Sequence, residues 1–224
     1  MLELALEKSE DVIGFFLNGS EFFLYPQWKD LLERFESKGI QIGIATNAML
    51  LNDQTIAILT ESQAIRDINI SFDGCTVETV ERIRVPVKFQ KLRDRTEALI
   101  KAINAAGRDD FPLALSMVLM KGNHHEAPGL VALASELSAD LPLRPHVSFS
   151  VLDATNQQGY VQFRAREYTD IQDPTTRAYL AEAENLGRSM GISTFYTFEG
   201  PLKYPLAAYS DSEFKDRHVT GELS

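Results

Sequence analysis

Three short polar segments carry the residue types that could bind a small molecule. They are Asn18-Gly19-Ser20-Glu21, Thr46-Asn47-Ala48 and Ser71-Phe72-Asp73-Gly74, and each directly follows an apolar run. In α/β folds, ligands bind at the turns beyond the carboxyl ends of parallel strands. Backbone carbonyls in the first segment, together with the Glu21 carboxylate, can accept hydrogen bonds from an ammonium group. The sequence therefore places candidate chemistry at the strand ends.

Each of these residues also has a purely structural interpretation. Glu21 can stand near a helix N-terminus, where a carboxylate is favoured. Thr46 and Asn47 are good helix N-caps, and Asp73 followed by glycine is a common turn dipeptide. Both interpretations stay open at this point.

Apolar periodicity predicts the elements that position these segments. Six strands are predicted at Val12–Leu17, Ile40–Ala45, Asp67–Ile70, Leu113–Met120, Val147–Leu152 and Ile192–Phe198. Helices are predicted at Leu2–Lys8, Trp28–Lys38, Asn52–Thr60, Thr76–Ile83, Phe89–Ala106, Pro128–Ala139 and Thr175–Met190. The polar stretch Asn156–Asp173 is predicted to be a long loop. Alternating strands and helices indicate parallel βαβ units, in an open sheet or a curved partial barrel.

Composition and charge exclude several classes of protein. The chain has 224 residues, 44% of them apolar, which suffices for a full core and favours one domain, residues 1–199, with a tail, 200–224. A net charge of −10 argues against nucleic-acid binding, which needs clustered Lys and Arg. No apolar run is long enough to cross a membrane. The only cysteine is Cys75, which predicts a reducing, cytoplasmic location and excludes a metal or iron–sulfur site held by several cysteines of this chain.

The strand-end motifs together resemble the radical SAM superfamily, in particular the branch of peptide- and sulfatase-maturing enzymes. In that family a Thr-Gly-Gly-Glu-Pro segment, a Thr-Asn-Gly segment and a Ser-x-Asp-Gly segment follow successive strands. The motifs that match are Asn18-Gly19-Ser20-Glu21-Phe22, Thr46-Asn47-Ala48, Ser71-Phe72-Asp73-Gly74, Glu81-Arg82-Ile83-Arg84, Phe89-Gln90-Lys91 and Asn123-His124-His125-Glu126. Each motif is weak alone, but the series runs in order from about Val12 to Leu152. The fold that it implies is a partial (β/α) barrel of about six parallel strands, with the family's first strand absent.

The resemblance also implies a role for each candidate residue. Gly19, Ser20 and Glu21 correspond to the turn that receives the methionine amino group of S-adenosylmethionine, and Thr46 and Asn47 to residues that orient this turn or touch the ligand. The remaining candidates, Ser71, Asp73 and Arg84, belong to motifs that contact the cofactor. Ser71 resembles a residue that contacts its nucleoside or methionine part, and Arg84 one that pairs with its carboxylate, a task that the guanidinium fork suits.

Other interpretations of the remaining polar residues stay open. Arg84 can instead form a solvated ion pair with Glu81 or Glu78. The pair His124 and His125 suggests a metal, but adjacent side chains diverge, which favours a capped surface turn. Acidic residues at positions 167, 170 and 173 are predicted to form a solvated loop.

Several departures from the family pattern are clear. The family's first strand leads into a Cys-x3-Cys-x2-Cys loop that binds three irons of a [4Fe-4S] cluster, and nothing here corresponds to that strand or loop. Cys75 lies in the wrong place for it, and one thiolate cannot hold the cluster. Ser20 replaces a glycine that allows close backbone approach. Phe22 and Val85 replace a proline and a glycine.

Three hypotheses for function follow. In the first, the chain is the truncated core of a radical SAM enzyme that would cleave S-adenosylmethionine to a 5′-deoxyadenosyl radical; the [4Fe-4S] cluster is then possible only if a missing N-terminal segment supplies its cysteines. In the second, it is a degenerate, cluster-less domain that binds a small molecule or a protein partner. The third, an unrelated α/β enzyme, lacks support because there is no nucleophile elbow and no P-loop. The partners expected are a small-molecule or peptide/protein substrate and a chain that covers the open barrel edge.

Overall fold

The structure is a computed structural model that describes residues 14–17, 21–151, 167, 169, 171–197 and 203–204. Strands occupy β1 (Gly14–Leu17), β2 (Gln41–Thr46), β3 (Ile65–Ser71), β4 (Leu113–Leu119), β5 (His146–Val151), β6 (Thr194–Thr197) and β7 (Lys203–Tyr204). Helices occupy α1 (Trp28–Ser37), α2 (Asp53–Glu61), α3 (Val77–Ile83), α4 (Phe89–Ala105), α5 (Ala127–Leu137) and α6 (Pro174–Met190), with short 3-10 turns at Phe22–Leu24 and His124–Glu126.

The strands form one open sheet in sequence order, β1 to β7. Strands β1 to β6 pair in parallel, each with the next along the chain, and β7 pairs antiparallel with β6. Consecutive right-handed crossovers in one direction place all the connecting helices on the same face of the sheet. The carboxyl ends of β1 to β6 consequently lie along one edge.

Large apolar side chains fill the layer between the sheet and its helices. The strand residues Ile44, Ile70, Leu115 and Phe149 are fully buried there, in one core cluster with Phe35 of α1 and other helix residues. Tyr196 extends this core, because its ring stacks on that of Phe149 and its hydroxyl donates to the Leu180 carbonyl at 3.3 Å. Burial of this face accounts for the fold, since it removes the apolar side of every helix from water.

Capping side chains fix where several helices begin. Asn52 accepts a hydrogen bond from the backbone of Thr55 at the start of α2. At α3 the cap is Thr76, and at α6 it is Asp173, whose carboxylate accepts from the backbone of residues 175 and 176. Asp173 therefore caps α6 while its side chain stays exposed to solvent.

The structure confirms the predicted architecture and reveals one further strand. All six predicted strands and the six predicted helices between Trp28 and Met190 are present, each with ends within a few residues of the prediction. Strand β7 was not predicted, because two residues are too short for a periodic pattern. The predicted helix at Leu2–Lys8 and most of the predicted loop at Asn156–Asp173 lie outside the described residues. No helix in the described part combines the length and apolarity that a membrane crossing needs.

Candidate functional site

The turns after β1 to β4 meet at the carboxyl edge of the sheet, which we call the rim. Register places Thr46 of β2 opposite Ile70 of β3, and Ser71 opposite Ser116 of β4. Glu21 follows β1 on the same edge. The rim thus brings together the described candidates, whereas Gly19 and Ser20 lie outside the described residues.

Glu21 links the turn after β1 to the turn after β2. Its carboxylate accepts a hydrogen bond from the Thr46 hydroxyl at 2.8 Å and another from the backbone N–H of Asn47 at 2.9 Å. Thr46 and Asn47 do not cap α2, since Asn52 holds that position. Their role is to fix the turn, because each also accepts a backbone N–H two residues further on, from Ala48 and Met49 respectively.

Ala48 adopts a conformation that normally belongs to glycine. It is fully buried and has φ of +62°, in the left-handed region, where a Cβ is disfavoured. The Thr46 hydroxyl accepts its N–H at 3.0 Å and supports this conformation. The Thr-Asn-Ala segment therefore keeps the glycine-type turn despite the alanine.

Ser71 belongs to a row of hydroxyls on the sheet face turned away from the helices, the inner face. Strand alternation places Asn69 and Ser71 there, opposite to the helix-facing Ile70. The register aligns Ser71 with Ser116, and Ser116 with Ser148 of β5. Three serines on adjacent strands thus form one row, and sequence reasoning identified only the first.

The described inner face mixes polar side chains with apolar ones such as Phe16, which aligns with Gly43 of β2. The Asn69 Oδ1 atom is buried and has no hydrogen-bond partner among the described residues. Gly43 makes room for its neighbours, since a Cβ there would lie 2.5 Å from an oxygen of Asp67. Asp67 itself pairs with Arg66 at 2.7 Å. This surface suits uncharged hydrogen-bonding groups better than phosphates or carboxylates.

Asp73 and Arg84 form an ion pair at the rim. The Arg84 Nη2 lies 2.8 Å from Asp73 Oδ2, and the other carboxylate oxygen accepts the Val118 N–H at 2.7 Å. Burial raises the pKa of Asp73, and Arg84 and the Val118 N–H partly oppose this rise. Arg84 therefore does not pair with Glu81, the structural alternative; Glu81 instead binds Lys88, at 2.6 Å.

Glu126 and Asn123 are central to the rim, although only the motif around them was noted from the sequence. The Glu126 carboxylate accepts the backbone N–H groups of Cys75 (2.6 Å) and Thr76 (3.1 Å) and the hydroxyls of Thr76 (2.8 Å) and Thr79. Burial opposes its ionisation, but these hydrogen bonds outweigh burial and lower the pKa of Glu126. A buried carboxylate that accepts several hydrogen bonds is easy to identify in a structure. Its donors lie about fifty positions away in the sequence, so no local pattern reveals Glu126.

Cys75 lies half-buried against helix α5. A Cβ at Gly129 would collide with its sulfur. Burial and the Glu126 carboxylate raise the pKa of this thiol to about 12. A thiolate is therefore scarce here at neutral pH.

The two adjacent histidines do not converge on a common point. His124 Nδ1 lies 2.9 Å from the hydroxyl of Thr176, and the Thr169 hydroxyl lies 2.9 Å from that same hydroxyl. The rings of His124 and His125 are nearly perpendicular, with centroids 6.3 Å apart. Within the described ranges, no group of three or more His, Cys, Asp or Glu side chains is placed to hold a metal ion.

Comparison with known proteins identifies the class of fold. No protein-family profile and no curated sequence matches the chain. Among solved structures, Streptococcus suis SuiB bound to S-adenosylmethionine superposes with a TM-score of 0.62 at 17% identity, over 88% of this chain and 40% of that one. A domain of a pyruvate-formate lyase-activating enzyme from Bacteroides vulgatus gives 0.55 at 16%, over 83% and 98%. The structure of anSMEcpe with bound AdoMet and a Cp18Cys peptide gives 0.55 at 15%, over 87% and 53%.

These neighbours are radical SAM enzymes, so the chain has the radical SAM type of fold, an open α/β partial barrel. The predicted fold class is thereby confirmed. The chain spans less than half the length of the SuiB chain to which it was compared.

Proposed function

We propose that this chain is a radical-SAM-type domain whose rim binds S-adenosylmethionine, and that its own residues do not hold the iron–sulfur cluster. The observation that carries the proposal is the convergence of Glu21, Thr46, Ser71 and the Asp73–Arg84 pair on one edge of this fold. Two structural neighbours are described with the same ligand bound. The fold shared with these neighbours and the resemblance in the motifs thus support the same kind of ligand.

The residues present fit S-adenosylmethionine at its carboxylate end. The Nε atom of Arg84 is buried and has no hydrogen-bond partner among the described residues. A buried donor without an acceptor is costly, and a ligand carboxylate would supply the acceptor. Ser71, on the inner face beside the rim, would offer its hydroxyl to the nucleoside or methionine part. Glu21, Thr46 and Asn47 would shape the turn that faces the amino group.

The residues present do not fit a [4Fe-4S] cluster. Such a cluster needs three cysteine thiolates in this family, whereas the chain has only Cys75, whose thiol pKa is raised to about 12. What this chain contributes is binding and orientation of the ligand and shielding of the site.

The inner face is where a second ligand would lie. Its serine row and Asn69 favour an uncharged polar group, such as the amide of a peptide, and one neighbour is solved with a peptide bound. The predicted partner chain at the open barrel edge stays a prediction.

Isothermal titration of the full chain with S-adenosylmethionine tests the proposal. We expect a dissociation constant in the micromolar range without any added iron. Ser71→Ala should weaken binding about tenfold, equivalent to about 1.4 kcal/mol. The matched control, Ser37→Ala at the end of α1, removes a hydroxyl that only bonds the Arg34 carbonyl, and should leave binding unchanged.

Two results would overturn the proposal. One is the absence of binding to the native chain at millimolar ligand. The other is stoichiometric uptake of about four irons per chain after anaerobic reconstitution, which would show that residues other than cysteines hold a cluster.

A further inference from the structure

The Asp73 carboxylate holds the Arg84 guanidinium in one place. Only 6% of the Asp73 side chain is exposed, against 24% for that of Arg84, so the pair lies mostly out of water. One carboxylate oxygen binds Arg84 and the other accepts the Val118 N–H at 2.7 Å. The carboxylate is thus anchored to strand β4 while it orients the arginine.

The Asn123 side chain holds the backbone of Asp73 from the neighbouring turn. Its Nδ2 donates to the carbonyls of Asp73 (3.0 Å) and Val118 (2.8 Å), and its Oδ1 accepts the Met120 N–H at 2.7 Å. Asn123 is fully buried, and all of these bonds are internal. Asp73 has φ of +56°, an unusual conformation for a residue with a Cβ, and this bond helps to keep it there.

Arg84 retains binding capacity after these contacts. A guanidinium has five N–H donors, and the contact with Asp73 uses the Nη2 group. Its Nε–H is buried and unpartnered among the described residues. A carboxylate can accept two parallel hydrogen bonds from one edge of such a group, which a rigidly held fork favours.

We propose that Asp73 and Asn123 are positioning residues that hold Arg84 ready for the carboxylate of an amino-acid-bearing ligand. Neither residue touches the ligand; each acts through Arg84. This inference rests on the proposed function, because it assigns the ligand carboxylate to Arg84. It adds two residues behind the arginine: Asn123, in the turn after β4, holds Asp73, and Asp73 holds Arg84.

The test compares two ligands on the full chain by isothermal titration: S-adenosylmethionine and its decarboxylated analogue, which lacks only the carboxylate. In the native protein the analogue should bind about tenfold more weakly, or about 1.4 kcal/mol. Asp73→Asn should weaken S-adenosylmethionine about tenfold and change the analogue less than twofold. Asn123→Ala should have the same effect on both ligands, because it removes the hydrogen bond that holds the Asp73 backbone from the turn after β4. The control is Arg82→Lys, since Arg82 contacts the Gly122 carbonyl and not Asp73.

The outcomes separate this inference from the proposed function. If neither ligand binds the native chain, the proposed function fails. If both bind and Asp73→Asn weakens them equally, Asp73 has only a structural role and the inference is wrong. Tighter binding of S-adenosylmethionine by Asp73→Asn would show that Asp73 competes with the ligand, which also overturns it. Equal binding of the two ligands by the native chain would show that Arg84 does not receive the carboxylate. Thermal unfolding of each variant identifies any loss of fold, and a folded Asn123→Ala keeps the test decisive if Asp73→Asn unfolds.

Discussion

Replacement of Glu126 by alanine should destabilise the fold strongly, because this one carboxylate satisfies four donors. Two of these donors have little access to water. The Thr79 hydroxyl belongs to a buried residue, and the Cys75 N–H to a half-buried one. Thr76 is exposed, so its groups can turn to water after the substitution. Each buried donor left without a partner costs about 1–3 kcal/mol. The expected loss in the free energy of unfolding is therefore about 2–6 kcal/mol for the two donors.

Glu126→Gln should cost less, about 1–2 kcal/mol. The amide oxygen can still accept the backbone N–H groups, while the amide NH₂ can donate to the hydroxyls of Thr76 and Thr79, which rotate to accept. What is lost is the charge, which strengthens hydrogen bonds. The free energy of unfolding should therefore rise from the alanine variant to the glutamine variant to the native protein.

Urea unfolding followed by circular dichroism measures these differences. The control is Glu136→Gln, because the Glu136 side chain is 59% exposed and pairs with Arg93 at the surface. Its loss should stay below about 0.5 kcal/mol. A cost of less than about 1 kcal/mol for Glu126→Ala would refute the reasoning. So would equal costs for the alanine and glutamine variants.

The same residue predicts a dependence on pH. The pKa of Glu126 is lower in the folded protein than its ordinary value, so its ionisation stabilises the fold above about pH 4.5. That contribution is lost as the pH falls through the folded pKa, because the protonated acid no longer accepts all four bonds. The difference in stability between native protein and Glu126→Gln should therefore shrink below about pH 4. A difference that grows on acidification would contradict the assigned direction.

Three further predictions concern other parts of the molecule. Arg108→Ala should lower stability by about 2–4 kcal/mol in urea unfolding, because the guanidinium donates to carbonyls within residues 59–65 at 3.0–3.4 Å; Arg108→Lys should keep the charge and still lose at least half of that. Gly187→Ala should cost about 1–3 kcal/mol in thermal unfolding, since its Cβ would lie 2.5 Å from the backbone carbonyl oxygen of Ile192, and unchanged stability would contradict this tight packing. The Cys75 thiol, with its pKa raised to about 12, should react slowly with a disulfide reagent at pH 8 in the native protein and quickly in urea; equal rates would show that the thiol is exposed.

The fold was readable from the sequence because its elements have clear periodicity. Ile40–Ala45 and Leu113–Met120 are short apolar runs typical of strands buried in parallel sheets, and Trp28–Lys38 has a single apolar face. Strands alternating with helices then leave few topologies. The rim could be predicted for the same reason, because the carboxyl ends of parallel strands lie along one edge of the sheet.

The pairings at the rim could not be read in this way. Glu126 binds donors about fifty positions earlier, and Asn123 binds the carbonyl of Asp73, fifty positions away. Such contacts depend on how adjacent loops pack, which no local pattern encodes. Arg84 has acidic residues close by in sequence, yet it pairs with Asp73, which lies just beyond the end of β3.

Two groups of hydrogen bonds hold the rim, and neither involves a cluster. Glu21 joins the turns after β1 and β2, and Asp73 joins the turn after β3 to strand β4. Asn123 and Glu126 connect the turn after β4 back to the turn after β3. Every one of these contacts is made by the chain's own residues, so the ligand carboxylate would meet an arginine already in place, and less ordering would oppose binding. A cluster supplied from elsewhere would then change what happens to a bound S-adenosylmethionine, whereas the Arg84 subsite should be complete without it. For this reason binding to the iron-free chain is a fair test of the proposal, and the failure of that binding could not be attributed to a missing cluster alone.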